Sequence, residues 1–425
     1  MKSKKRGLWM ALLAAGLLAI ILGITNRADV SRWLLNVTGE EQLLPQMRGL
    51  WQLASNVTRP QPETADEVTT AFAGIDPFGI NVFLEQEVEI TKRDKTLQMV
   101  SDAGFHWIRQ EFPWEDIEIH GKGDFSDCRN GPCISAWDKY DNIVDLAEKY
   151  GLQIVARLSN PPAWSRAAGN EMGAHAPPDD FDDYGDFVAA VVERYRGRVR
   201  FYQIWNEPNI HPEWGNYPID PEGYAELLKI AAARARAADP DCVIISGALA
   251  QTIELGDCIG GDNCNLNDFV FLQRLYDAGA KGHFDVLALN DYGMWSGPYD
   301  RRMRPRVINF SRPLYIRDIM VQNGDAATPI WLTEMNWNAI PADHPAYPAY
   351  GRASEEQQAR YVVQGYQRAQ DEWPWMGVIF YWFFKRPHDF EKDQAWYYFR
   401  MAEPDFTTLP VYDAIKTYTA DSPIR

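Results

Sequence analysis

From about Phe72 onward, short apolar runs alternate with longer segments in which apolar residues recur at helical spacing. Strands buried on both faces read as continuous apolar runs and surface helices as period-3.6 stripes, so the alternation predicts repeated βα units on a parallel sheet. Eight cycles follow one another. The predicted strands are FGINVF (78–83), HWIRQ (106–110), QIVARL (153–158), RFYQIW (200–205), VIISGA (243–248), DVLALN (285–290), PIWLTE (329–334) and GVIFYW (377–382). Asp220 and Pro221 open the clearest helix, at the N-cap and first-turn positions before GYAELLKIAAARARA. Eight such units closing on themselves give a (β/α)8 TIM barrel over residues 72–425. The alternative is an open doubly wound sheet, but no Gly-rich phosphate loop follows the first strand.

The links from helix to strand are short, as in DAGFH, KYGLQ, YRGRV, ADPDC and AKGHF. Those from strand to helix are much longer, so insertions collect on one face. In a barrel that face is the C-terminal rim, where active sites are built.

The N-terminal part follows a different pattern. Met1 to Arg6 is basic, and Gly7 to Thr25 (GLWMALLAAGLLAIILGIT) runs without a charge for roughly the 20 residues that a membrane-spanning helix needs. Residues 1–25 therefore read as a transmembrane signal anchor, with a cleaved signal peptide as the alternative; either places the remainder outside the cytosol. Residues 26–71 read as a stalk. Within it LLPQMRGLWQLA is expected as a short amphipathic segment on the membrane, and TRPQPETADE as an extended linker.

Cysteine usage agrees with export. Cys128 and Cys133 lie close together, as do Cys258 and Cys264, while Cys242 stands alone in an apolar run; two local disulfides and one buried thiol are expected. The net charge of -17 excludes a nucleic-acid partner, which needs a basic face. With 16 Trp, 20 Tyr and 19 Phe, the chain can fill a core and still line a site with aromatic rings.

Two carboxylates stand at predicted strand ends: Glu207 in YQIWNEPN on the fourth, and Glu334 in WLTEMNWN on the seventh. Across a barrel mouth, one carboxyl acts as acid and base and the other as nucleophile, at the roughly 5–5.5 Å separation of a retaining glycosidase. Such chemistry requires unequal environments, one carboxyl protonated near neutrality and the other ionised. Arg109 ends the second strand and Tyr292 follows the sixth, both in position to hydrogen-bond Glu334. Asn206 is placed for a sugar hydroxyl, and Trp382, ending the eighth strand, can floor a sugar ring. Asn160 after the third strand, with Trp164 and Trp337 on rim loops, completes the expected substrate-binding set; Trp114, Trp214 and Trp295 lie on the same loops.

WNEPN and TEMNW resemble the acid/base and nucleophile motifs of glycoside hydrolase clan A, over about residues 72–420. The resemblance implies that Glu207 is the acid/base and Glu334 the nucleophile, with Arg109, Asn206, Tyr292 and Trp382 in support. Within the clan the chain is loosely similar to family 39, which includes β-xylosidases, and to related bacterial exopolysaccharide endoglycosidases. Many of those relatives carry His-x-Tyr at strand six, where this chain has Asn290-Asp291-Tyr292.

The expected activity is thus retaining hydrolysis of O-glycosidic bonds in an extracellular oligo- or polysaccharide, with no cofactor. A metal-dependent barrel hydrolase would want His-x-His ending strand one, and GINVFLEQ has no His. There is neither an HExxH helix nor a G-x-S-x-G elbow. The alternative from another class is a noncatalytic carbohydrate-binding barrel at the cell surface; loss of either Glu would mark it.

Overall fold

The computed structural model describes residues 27–255 and 265–421. The apolar run Gly7–Thr25 and the pair Cys258–Cys264 lie outside the described residues. Among the described residues no helix is long and apolar enough to cross a membrane. The chain divides into two units, Met1–Gln61 with Tyr299–Met303, and Pro62–Pro298 with Arg304–Arg425.

The larger unit is the barrel. Its strands are β1 (Phe78–Val82), β2 (Trp107–Pro113), β3 (Gln153–Ser159), β4 (Phe201–Ile204), β5 in two pieces (Val243–Ile245 and Leu249–Ala250), β6 (Leu287–Tyr292), β7 (Ile330–Asn336) and β8 (Met376–Tyr381). Neighbours pair in parallel and β1 bonds both β2 and β8. The first piece of β5 pairs with β4 and the second with β6, so the two ends of the sheet are halves of one strand and the ring closes. Around it stand α1 (Ile90–Asp102), α2 (Asp138–Lys149), α3 (Phe181–Arg194), α4 (Pro221–Ala238), α5 (Asp268–Asp277), α6 (Pro313–Gln322), α7 (Glu355–Glu372) and α8 (Pro410–Asp421). The expected start of α4 is present: the Asp220 carboxylate accepts from Gly223 N at 2.9 Å, with Pro221 in the first turn.

Side chains alternate across the sheet with period two, and this layering positions the site. One set of strand residues packs outward on the helices. The other fills the barrel's lower interior with Trp107, Val155, Phe201, Trp331, Val378 and Phe380, on which Phe72 and Ile75 pack. Two residues further along several of these strands the inward position is polar: Arg109 after Trp107, Arg157 after Val155, Gln203 after Phe201, Thr333 after Trp331. The apolar layer excludes water below, and the polar layer above it faces the mouth.

Two expectations change in detail. Within the expected stalk of residues 26–71, the end of the extended linker TRPQPETADE is held on the barrel: Glu63 N donates to Asp318 at 2.9 Å, Arg317 Nε to Thr64 O at 2.9 Å and Trp375 Nε1 to Asp66 at 3.0 Å. Backbone groups that a solvated linker would leave to water are here bonded to α6 and its neighbours. The remainder of the expected stalk is helical over Arg27–Thr38 and Leu43–Asn56. Cys128 and Cys133 form a disulfide in the β2–α2 loop, beside a two-residue hairpin, and Cys242 is a buried thiol.

Candidate active site

The stretch WNEPN leaves β4 through a sharp turn. Trp205 and Glu207 both have left-handed backbone, φ 75° and 38°, which costs non-glycine residues about 1–3 kcal/mol each and persists only where the surroundings enforce it. Trp205 is enclosed by Tyr184 and Trp214, and its indole donates to Glu213 O at 2.8 Å. Asn209 fixes the other side, exchanging two bonds with the Ala250 backbone at 2.8 and 2.9 Å. The turn is held at both ends, and Glu207 projects from it.

Arg109 organises the opposite wall. Its guanidinium is almost wholly buried and makes four hydrogen bonds: Nε to Gln203 at 2.7 Å, Nη1 to Asn81 at 2.9 Å and to Glu334 Oε1 at 2.8 Å, and Nη2 to Asn206 Oδ1 at 2.7 Å. Tyr292 donates its hydroxyl to Glu334 Oε2 at 2.5 Å. Burial and the charges of Glu334 and Glu207 push the Tyr292 phenol far above its ordinary value, so it keeps the proton it donates. Each Glu334 oxygen therefore has a donor.

Glu207 is treated differently. Burial, then the negative charge of Glu334, then that of Glu213, push its carboxyl up to about 8. Among the described residues its side-chain donor is neutral: Asn290 Nδ2, 2.8 Å from Oε1. Thr333 Oγ1 lies 2.9 Å from Asn290 Oδ1, which turns the amide nitrogen toward Glu207. Asn290 thus binds the carboxyl with an amide and adds no charge. Asn81 and Gln203 share one signal that the sequence carried, a lone polar residue in an otherwise apolar strand, whereas Asn290 stands beside a second polar residue, Asp291, at the end of its strand.

Three further groups join the mouth without having been expected. Glu213, raised by burial, is hydrogen-bonded by Asn206. Tyr350 feels both Glu207 and Glu334. Beside β1, Glu85 accepts from Gln110 at 2.6 Å and is pushed up to about 7 by burial and by Glu111, which is itself held low against burial by Arg157 and Ser159.

The expected aromatic platform is smaller than the sequence indicated. Trp382 remains at the mouth, partly buried, with its ring edge-on to Phe83 at 5.6 Å. Trp337 does not: it is fully buried, donates to Ser296 O at 2.7 Å and packs on Phe310 and Tyr361, so no sugar reaches it. Trp114 and Trp214 are likewise core residues. Trp164 packs edge-on against Trp114 and donates to Glu118 O at 2.8 Å, bonds that close a rim loop. Asn160 sits at the end of β3 with φ 57°, and its carbonyl accepts from Glu115 N at 2.9 Å, a turn-forming role. Trp295 is 60% exposed. Among the described residues no group of His, Cys, Asp and Glu is arranged to hold a metal ion.

No protein-family model matches the chain, and no curated protein matches it by sequence. Solved structures do match in fold. A family 39 glycoside hydrolase from the gut symbiont Bacteroides cellulosilyticus WH2 superposes with TM-score 0.58 at 20% identity, covering 85% of this chain and 66% of that one. The family 39 enzyme of Xanthomonas axonopodis pv. citri gives 0.57 at 15% identity over 87% of this chain and 72% of that one. A monomeric β-xylosidase from Caulobacter crescentus CB15 gives 0.54 at 17%, over 85% and 70%. The barrel is the fold that these glycoside hydrolases share.

Proposed function

We propose that the chain is a retaining β-glycosidase acting on an extracellular oligo- or polysaccharide by double displacement. The observation that carries the reading is the inequality of the two carboxyl groups: Glu207 keeps its proton up to about 8, while Glu334 receives a hydrogen bond on each oxygen from Arg109 and Tyr292. In the first step a Glu334 oxygen bonds to the anomeric carbon, the glycosidic C–O bond breaks, and the Glu207 proton passes to the departing oxygen. In the second, ionised Glu207 takes a proton from water as the water oxygen attacks the anomeric carbon and releases Glu334. Formation of the glycosyl-enzyme removes the Glu334 charge, which lowers the proton affinity of Glu207 when it must turn from acid to base. Fold likeness to the family 39 structures supports the same reading by analogy. The basic Met1–Arg6, the apolar Gly7–Thr25 and the Cys128–Cys133 disulfide support a place at the cell membrane with the barrel outside.

Two inversions leave the anomeric configuration unchanged. Proton NMR of the first-formed sugar from an aryl β-glycoside should therefore show the β anomer; an α anomer would remove Glu334 as nucleophile. Acidity offers a second check. The alkaline limb of kcat/KM should fall at about pH 8, where free-enzyme Glu207 loses its proton. Glu213→Gln removes a negative neighbour that disfavours ionisation, so the limb should move to lower pH. A limb that stays in place in the folded variant would show that Glu213 does not act on Glu207.

A further inference from the structure

The smaller unit is built inside out. Counting about 100° per residue along the helix Leu43–Asn56, the residues Leu43, Leu44, Met47 and Trp51 fall within one arc of about 100°. They are 66%, 75%, 59% and 74% exposed. The opposite side carries Gln46, Gly49 and Asn56, and these are the buried ones. Gly49 faces Thr38 of the preceding helix so closely that a Cβ there would meet the Thr38 side chain at 2.8 Å. Gln46 Nε2 donates to Glu40 O at 2.8 Å and Asn56 Nδ2 to Arg301 O at 3.0 Å. A helix in water buries its apolar stripe and exposes its polar one. This helix does the reverse, and Trp33 on the preceding helix Arg27–Thr38 is exposed as well (57%).

What covers the face follows from where the chain comes from. The uncharged apolar run ends at Thr25 and the first helix begins at Arg27, a separation of two residues that spans at most about 7 Å. A surface that takes up the run has the hairpin beside it. Two tryptophans among aliphatic side chains are the composition of a bilayer interface, where an indole places its ring among acyl chains and its N–H at the headgroups. Exposed Arg48, at the edge of the arc, can lay its stem along the apolar face with its charge at the phosphates.

We propose that the face formed by Leu43, Leu44, Met47 and Trp51 lies in the headgroup–acyl boundary of a phospholipid bilayer, parallel to its plane, with the exposed Trp33 of the preceding helix at the same boundary, as an interfacial contact additional to the Gly7–Thr25 run. The proposal rests on the membrane placement of that run and not on the glycosidase reading. The hairpin lies on the membrane and does not span it, so it limits the swing of the chain leaving the bilayer.

The full-length chain in phosphatidylethanolamine/phosphatidylglycerol vesicles, with a fraction of phospholipid carrying a photoreactive group at the top of the acyl chain, tests this. After irradiation and peptide mapping, lipid adducts are expected on residues 7–25, on Trp33 and on 43–51. The triple variant Leu44→Gln/Met47→Gln/Trp51→Gln, which changes only exposed side chains, should lose the adducts on 43–51 and keep those on 7–25. Adducts on 7–25 with none on the wild-type hairpin would overturn the interfacial contact while leaving the apolar run in the membrane. Absence of adducts from both segments would overturn both. With a photoreactive amino acid in place of Met47 instead of the photoreactive lipid, cross-links from that position to a second chain and not to lipid would assign the face to a second copy.

Discussion

Glu334→Ala should lose turnover of an aryl β-glycoside by about 10⁴-fold or more, the scale on which removal of a nucleophile from a concerted site is felt. Added azide should then restore activity, and the product should be the α-glycosyl azide. The anion enters the cavity left by the carboxylate and attacks from the face that Glu334 occupied, so a single displacement inverts the centre. Glu207 remains to protonate the leaving oxygen, since burial and Glu213 still raise it. Glu207→Ala should respond differently. With an aryl leaving group that needs little protonation, the glycosyl-enzyme still forms on Glu334, but no base activates water to hydrolyse it. Azide needs no base, attacks the intermediate from the opposite face and gives the β-glycosyl azide. The two products assign the two roles independently of any rate; exchanged anomers would reverse the assignment, and no rescue in either folded variant would remove both carboxyls from the covalent chemistry.

The parts legible in the sequence are those fixed by local periodicity. An apolar run of strand length followed by a helical stripe recurs eight times, and each predicted run overlaps a barrel strand. Position along a strand then fixes height in the barrel, which is why Arg109, the adjacent pair Asn206 and Glu207, Tyr292 and Glu334 could be gathered from four separate places in the chain. What escaped depends on packing that periodicity does not encode. An indole on a rim loop turns inward or outward according to the helix beneath it: Trp337 meets Phe310 and Tyr361 and disappears into the core, whereas Trp295 stays exposed. The sequence shows Asn290 at the end of its strand, but only the packing shows that Thr333 orients its amide on Glu207. The segment LLPQMRGLWQLA carried an amphipathic signal in sequence, and the structure adds which side of the helix Leu43–Asn56 is inward, the one with Gln46, Gly49 and Asn56.

Arg109→Met should be the most damaging change among the residues that do not react, because one guanidinium serves both walls of the site. It donates to Glu334 on one side and to Asn206 on the other, with Gln203 and Asn81 taking its remaining bonds. Methionine matches its length and supplies none of these donors. Four acceptors lose their partner in a buried layer, and removing one member of a buried ion pair costs about 3–5 kcal/mol, so the melting temperature should fall. A purely structural residue would do as much. The separate expectation concerns charge: kcat/KM should drop by about 10² or more, as for other positioned electrostatic partners, even at temperatures where the variant is fully folded. Arg109 also lowers the proton affinity of Glu207, against the larger upward effect of burial and Glu334. Without that positive charge, ionising Glu207 becomes harder while Glu334 remains charged, so the alkaline limb should move above its wild-type position. Arg109→Lys separates the two effects: an ammonium keeps the charge and so the limb, but it lacks the planar fork that reaches Glu334 and Asn206 together, so part of the rate loss should remain. A folded Arg109→Met protein with lowered stability, an unmoved alkaline limb and undiminished kcat/KM would reduce Arg109 to a brace of the barrel.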